Sequence, residues 1–235
     1  MNKLTALELR RTSLRPYRIA ALSIFPVMLG LLYLLASLPG WEPYSSDVDV
    51  LLDRSGVTGI VFVLGTFAFS MLFAAMAAKC VVEEYSGKRV VLLFSYPVAR
   101  RKILGVKLRL VFGFTVLSAL ECGGVVLSIF FLTECLFPLC SGDLEIGTVV
   151  LAFLGLLWSA LLAGTAGLVT LWFGFRRKSV TATLTAGVIL SLLVCQAMSA
   201  MVRMPAAWLI LLAAAAVPGA FCILDLFRMA EGMEV

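Results

Sequence analysis

Few side chains in this sequence could carry out chemistry, because it contains no histidine. Histidine is the commonest general base near neutral pH and a common zinc ligand, so its absence argues against both kinds of site. The acidic pair Glu83-Glu84 is a thin basis for an enzyme acting on lipid-linked substrates. Gly87-Lys88 lacks the upstream glycine and the following Ser or Thr of a phosphate-binding loop. We therefore expect a chain that is not an enzyme and that binds no metal or cofactor of its own.

Glu121 is the one acidic residue in the middle of a long apolar segment. Burying its charge in hydrocarbon is costly, so this side chain must face protein or a water-filled cavity. Two interpretations stay open. Glu121 lines the translocation path of a substrate or proton, or it is protonated and hydrogen-bonded to a neighbouring helix, for example at a dimer contact. Asp225 lies near the end of another apolar segment, where we expect it to reach water or to pair with Arg228.

The chain has six cysteines, and two of them share a short loop. Cys135 and Cys140 can form a disulfide where the compartment is oxidising. The loop can also turn without that bond, because it contains Pro138 and Gly142. The pairing is therefore left open. Three further cysteines lie within apolar segments and are best explained as small packing residues: Cys122, Cys195 and Cys222.

Long apolar helices must position these residues. The chain is 62% hydrophobic and only 14% charged, whereas soluble domains carry about 25% charged residues. This composition excludes a soluble enzyme and a nucleic-acid-binding protein. A helix needs about 20 apolar residues to cross a bilayer, and continuous rather than alternating apolar runs exclude a β-barrel. The sequence predicts an all-α membrane protein with a single transmembrane domain over residues 1–235 and six transmembrane helices: 19–38, 57–78, 110–133, 146–173, 180–202 and 206–227.

The charges between the spans predict the orientation. All of the 19 Lys and Arg residues except Arg54 and Arg203 fall on one side, and acidic residues gather on the other. By the positive-inside rule both termini are cytoplasmic, in a multi-pass protein of the cell (plasma) membrane. Residues 1–18 place leucines near one helical face with arginines beside them, which predicts an amphipathic helix at the cytoplasmic interface. A disordered basic anchor is the alternative.

Small residues recur at every fourth position in three of the spans. Such a stripe lets two helix backbones approach closely, so it marks a side that faces another helix rather than lipid. We interpret the stripes as packing surfaces and assign no substrate contact to them. They comprise Ser70, Ala74 and Ala78; Gly155, Ser159, Ala163 and Gly167; and Thr183, Gly187, Ser191, Cys195 and Ser199.

Residues 79–109 form the longest predicted cytoplasmic connection. Its apolar residues, such as Val90 and Phe94, are interleaved with a basic cluster. Such a stretch would be an apolar liability in water alone, so it should dock on a protein or on the bilayer surface. A short helix that breaks near Pro97, followed by a second one that enters the third span, is the expected geometry.

This connection resembles the ABC-2 type transporter permeases, the membrane subunits of ATP-binding-cassette exporters. Members carry a pattern like Glu-x-x-Gly, a Leu-rich turn, Pro-Val-Ser-Arg and a following Lys. Lys88 stands where Thr is usual, and Ala99 where Ser is usual. The order of the basic N-terminal arm and the six spans also agrees with the family. The matching residues are Glu84, Gly87, Leu92-Leu93, Pro97-Val98-Ala99-Arg100 and Lys107.

The resemblance implies a coupling helix between the second and third spans that fits a groove on a separate cytoplasmic ABC ATPase subunit, which would bind ATP and Mg²⁺. It also implies a second permease chain, identical or paralogous, because six spans are half the usual number. The basic segment 174–178 would be a smaller contact or simply a topology-setting turn. The implied coupling residues are Glu84, Gly87, Leu93, Pro97, Arg100, Arg101 and Lys107.

The substrate is the least determined part of this interpretation. Small six-span permeases of this type often expel drugs or membrane-active peptides such as lantibiotics, and the resemblance implies such a cargo. Members of the family often carry re-entrant helices between the last two spans, whereas only Arg203-Met-Pro205 separates these spans here; the resemblance therefore argues against export of a large polymer. The alternative is a membrane scaffold or assembly protein that binds anionic lipid or a regulator through its basic loop.

Overall fold

The computed structural model describes residues 14–37, 54–85, 100–137, 146–200 and 207–231. Within these ranges, the helices that are long and apolar enough to cross a membrane number six, as the sequence predicts. The chain therefore has the architecture of a multi-pass membrane protein. The helices are α1 (Arg15–Ser37), α2 (Arg54–Ala77), α3 (Arg100–Leu136), α4 (Ile146–Arg177), α5 (Val180–Ala200) and α6 (Ala207–Glu231).

Two helices extend far into the predicted connection 79–109. α2 continues through a π-helical turn, Ala78–Val82, and a final α-helical turn, Glu83–Tyr85. α3 already begins at Arg100, ten residues before the predicted span. Both flanks of this connection are therefore helical extensions of the spans rather than loop. Its central part, residues 86–99, lies outside the described residues.

The first helix also begins earlier than its predicted span. Residues 15–18, which the sequence assigned to a separate interfacial helix, form the first turn of α1. The polypeptide thus continues from these residues into the apolar span without a break. The remainder of the predicted interfacial helix, residues 1–13, lies outside the described residues.

α2 and α4 form the centre of the bundle. α2 packs against α1, α3, α4 and α5, and α4 packs against α2, α3, α5 and α6. Both owe this position to their small residues, because a backbone without bulky side chains admits a neighbour on several sides. The predicted stripes are buried as expected along α2 and α4 and over most of α5: Ser70, Ala74, Ala78, Gly155, Ser159, Ala163, Gly167, Thr183, Gly187 and Ser191.

Two glycines show how closely α4 and α5 approach α2. A methyl group added at Gly187 of α5 would come within 2.8 Å of the Ala74 Cβ in α2. One added at Gly167 of α4 would run into the ring of Phe73, which is itself completely buried. Contacts this close make the α2–α4–α5 centre a tightly packed unit.

Consecutive helices run in opposite directions, so one end of the bundle collects most of the positive charge. We call it the basic end; it comprises the first turns of α1, α3 and α5 and the last turns of α2, α4 and α6. A buried apolar cluster lies beneath it and holds these helix ends together. Its members include Phe73, Met76, Tyr85, Leu104, Leu171, Phe175 and Leu226.

Candidate functional site

An ion pair between a buried cation and a partly buried carboxylate joins α2 to α3 at the basic end. Lys107 lies in the third turn of α3 and is only 5% exposed. Its ammonium group forms an ion pair with the carboxylate of Glu84, in the last turn of the α2 extension. It also donates a hydrogen bond to the backbone carbonyl of Cys80, with 3.2 Å between Nζ and O. A cation removed from water needs such compensation, and here a carboxylate and a carbonyl supply it.

The π-helical turn at the end of α2 and the α-helical turn that follows it provide the two partners of Lys107. In the π-helical turn the N–H of Glu83 bonds to the carbonyl of Ala78, five residues back instead of four. Cys80 lies inside the π-helical turn and Glu84 is the second residue after it, so both face α3 from adjacent turns. Single π-helical turns within α-helices are frequent at functional sites. This π-helical turn lies at the contact between α2 and α3, the two helices that border residues 86–99.

The structure brings together two of the predicted coupling residues, the ones at the ends of the sequence motif. Glu84 and Lys107 are direct partners. Arg101 is exposed, with its guanidinium group 5.3 Å from the centroid of the Phe227 ring in α6. Arg100 is the first residue of α3. The other predicted coupling residues, Gly87, Leu93 and Pro97, lie outside the described residues.

A second polar contact at the basic end was not anticipated from the sequence. The indole N–H of Trp172, in α4, donates a hydrogen bond to Oδ2 of Asp225 in α6, at 2.7 Å. Asp225 is therefore held by a neighbouring helix, whereas the sequence suggested water or Arg228. The guanidinium group of Arg176 lies 5.3 Å from the centroid of the Trp172 ring. The sequence contains no pattern that pairs Trp172 with Asp225, because only the packing of α4 on α6 places the two residues at the same height.

Glu121 does not face the interior of the chain. It is exposed in the middle of α3, on the same face as Leu117 and Val125, which are 60% and 49% exposed. A translocation path or an inter-helix hydrogen bond at Glu121 therefore requires something beyond the described residues to cover that face. Both interpretations remain predictions.

Two of the cysteines that the sequence predicts as packing residues lie against neighbouring helices. The thiol of Cys122 lies 3.5 Å from the carbonyl oxygen of Ala21, and that of Cys195 lies 3.4 Å from the carbonyl oxygen of Val63, so both pack between helices. Cys135 is exposed in the last turn of α3. Cys140 lies outside the described residues, so their pairing stays a prediction. In the described part of the chain, no three Cys, Asp or Glu side chains gather where they could hold a metal ion.

Comparison with known proteins finds a similar bacterial sequence. No protein-family model matches the chain, and no solved structure matches it. The chain is similar to YcbO, an uncharacterized protein of Bacillus subtilis (strain 168), with 26% identity over 194 residues. The similarity covers 81% of this chain and 82% of that protein. The similarity therefore extends over most of both chains, but it does not indicate an activity.

Proposed function

We propose that this chain is the permease subunit of an ABC exporter, with ATP hydrolysis in a separate cytoplasmic subunit. The observation that carries the proposal is the Glu84–Lys107 ion pair. It joins the two residues at the ends of the permease-like motif, and it bridges the two helices that border residues 86–99. The proposed cargo is a drug or a membrane-active peptide of the lantibiotic type. Because basic residues favour the cytoplasmic side, the basic end faces the cytoplasm of the cell.

The ion pair gives the proposed coupling a mechanical basis. A force applied to residues 86–99 by an ATPase would reach α2 and α3 together, because Glu84 and Lys107 hold the ends of these helices against each other. α2 then carries the displacement into the centre of the bundle, where it packs tightly against α4 and α5. Rigid helices with close-packed contacts transmit such a shift instead of absorbing it.

A second permease chain, identical or paralogous, completes the proposed transporter. The outer face of α3 carries Glu121 in the middle of a span, and an ionisable side chain exposed to hydrocarbon is costly. A second chain packed over this face would remove Glu121 from lipid, either into a path between the chains or into a contact between them.

Disulfide trapping tests for this second chain. Leu117→Cys is expected to cross-link two chains, whereas Ile189→Cys, which is exposed on α5, is expected not to. Cross-linking at Ile189 alone would place the second chain elsewhere.

Purification of the tagged full-length chain from its native membrane tests the main proposal. We expect an ABC ATPase to co-purify, and to be lost on Arg101→Glu, because this substitution reverses a charge beside the proposed docking segment. Arg15→Glu is the matched control, since Arg15 is also exposed at the basic end but begins α1. A chain that purifies without an ATPase would contradict the exporter proposal and favour the scaffold alternative.

A further inference from the structure

A crevice opens at the basic end between α3, α4 and α6, on a different side of α3 from the Glu84–Lys107 ion pair. Its volume is about 840 Å³, which lies within the usual range of ligand sites, about 300–1,000 Å³. Three cations line it from α3: Arg101, Lys102 and Arg109. No acidic side chain belongs to the lining contributed by the described residues.

The apolar part of the crevice continues from these cations toward the middle of the bundle. Phe112 of α3, Leu168 of α4 and Ile223 of α6 form its walls. Arg101 and Phe112 are separated by eleven residues of continuous helix, or roughly 16 Å at 1.5 Å per residue. Half of the hydrocarbon core of a bilayer is about 15 Å thick. The crevice is therefore about as long as one leaflet is thick, with Arg101 and Lys102 at its outer end and Arg109 about two helical turns further in.

We propose that this crevice binds one anionic phospholipid from the leaflet at the basic end. Its phosphate lies among Arg101, Lys102 and Arg109, and one acyl chain lies between α3, α4 and α6. Long basic side chains can reach back to the membrane surface while their stems lie along apolar groups, so Arg109 can contact the headgroup from a deeper turn. The contact of Arg101 with the Phe227 ring places its charge at the mouth of the crevice.

The charge requirement can be tested on the purified full-length chain without any partner. Titration with phosphatidylglycerol, followed by native mass spectrometry, should show one tightly bound lipid per chain, and phosphatidylcholine should bind far more weakly. Each basic side chain near a membrane surface strengthens anionic-lipid binding about fivefold. Lys102→Gln combined with Arg109→Gln should therefore weaken phosphatidylglycerol binding about thirtyfold. Lys79→Gln combined with Arg177→Gln removes two exposed charges of the same end, outside the crevice, and should leave binding unchanged.

The shape requirement has its own pair of variants. Gly105 lines the crevice, and a Cβ there would only touch the Phe227 ring, at 3.6 Å. Gly105→Leu should therefore fit the backbone, fill the crevice and abolish one-to-one binding without changing any charge. Gly113→Leu makes the same substitution in α3 at a position with no neighbour within 4 Å, and should bind lipid normally. Size-exclusion chromatography confirms that each variant is folded.

Three results would overturn the proposal. They are a wild-type chain without bound phosphatidylglycerol, equal binding of both lipids, and equal binding by the charge variant and its control. The first would indicate that another occupant, such as a second copy of the chain, covers the crevice. None of these results bears on whether an ATPase binds, so the outcome is independent of the proposed transport function.

Discussion

The centre of the bundle and its basic end are held together by different means. In the centre, α2, α4 and α5 meet through small residues, and side chains such as Phe73 fill the space that Gly167 leaves. At the basic end, polar contacts cross between helices: Lys107 to Glu84, and Trp172 to Asp225. A crevice of about 840 Å³ also remains open there.

This difference separates the part of the chain that must stay rigid from the part that can meet partners. Close packing depends on shape, so the centre should be sensitive to added volume and indifferent to charge. Buried polar contacts depend on paired groups, so the basic end should be sensitive to the loss of one partner. The predictions below contrast the two regions, from the largest expected effect to the smallest.

The largest effect is expected from breaking the Glu84–Lys107 ion pair. Glu84→Ala leaves the 5% exposed Lys107 without its carboxylate, and such a loss typically costs about 3–5 kcal/mol. The temperature at which the purified protein loses its monodisperse peak in size-exclusion chromatography should fall strongly. Glu84→Leu combined with Lys107→Met should recover most of the loss, because an apolar pair leaves no uncompensated charge.

Lys79→Met is the control for the ion-pair experiment. Lys79 is exposed at the same end and lies outside the crevice, so its loss should hardly change the midpoint temperature. If Glu84→Ala were no more damaging than Lys79→Met, the ion pair could not hold α2 against α3. The mechanical basis proposed for coupling would then fail, whether or not an ATPase binds.

The centre should respond to a single added methyl group. Gly167→Ala places a Cβ against the Phe73 ring, which is completely buried and cannot move freely. Overpacking of this kind costs about 1–3 kcal/mol, and the same chromatographic midpoint should fall. Gly147→Ala, in the same helix but with nothing within 4 Å, should leave the midpoint unchanged or raise it slightly, since alanine favours the helix. Equal effects of the two substitutions would contradict the close α2–α4 contact.

The packing of the centre could be predicted from the sequence because its signal is local. Small residues four positions apart lie on one helical face whatever the neighbouring helix is. The sequence could therefore identify the buried sides of α2, α4 and α5. It could not identify Phe73 as the partner of Gly167, because that contact depends on the relative height of two helices.

The basic end could be predicted only in part, because its contacts also depend on how neighbouring helices are placed relative to each other. The sequence singled out Glu84 and Lys107 through their resemblance to a motif, but not as partners, since 23 positions separate them. Apolar composition indicated the spans but not the π-helical turn, which shifts the backbone hydrogen bonding by one residue. Glu121 was expected to face protein, yet within a single chain it lies on an exposed face, and no pattern within one span specifies a neighbour outside the chain.

The smallest effect is expected from removing the second polar contact, the hydrogen bond from Trp172 in α4 to Asp225 in α6. Trp172→Phe keeps an aromatic ring near Arg176 but removes the N–H that Asp225 accepts at 2.7 Å, and one such hydrogen bond contributes about 1 kcal/mol. Trp158→Phe makes the same change in α4 at another partly buried position, in the far half of the bundle. A lower midpoint for Trp172→Phe than for Trp158→Phe would show that the polar contact, and not the loss of indole area, stabilises the basic end. If both variants lost the same amount, α6 would be held there by apolar packing alone, and the contrast between the two regions would rest on the Glu84–Lys107 ion pair.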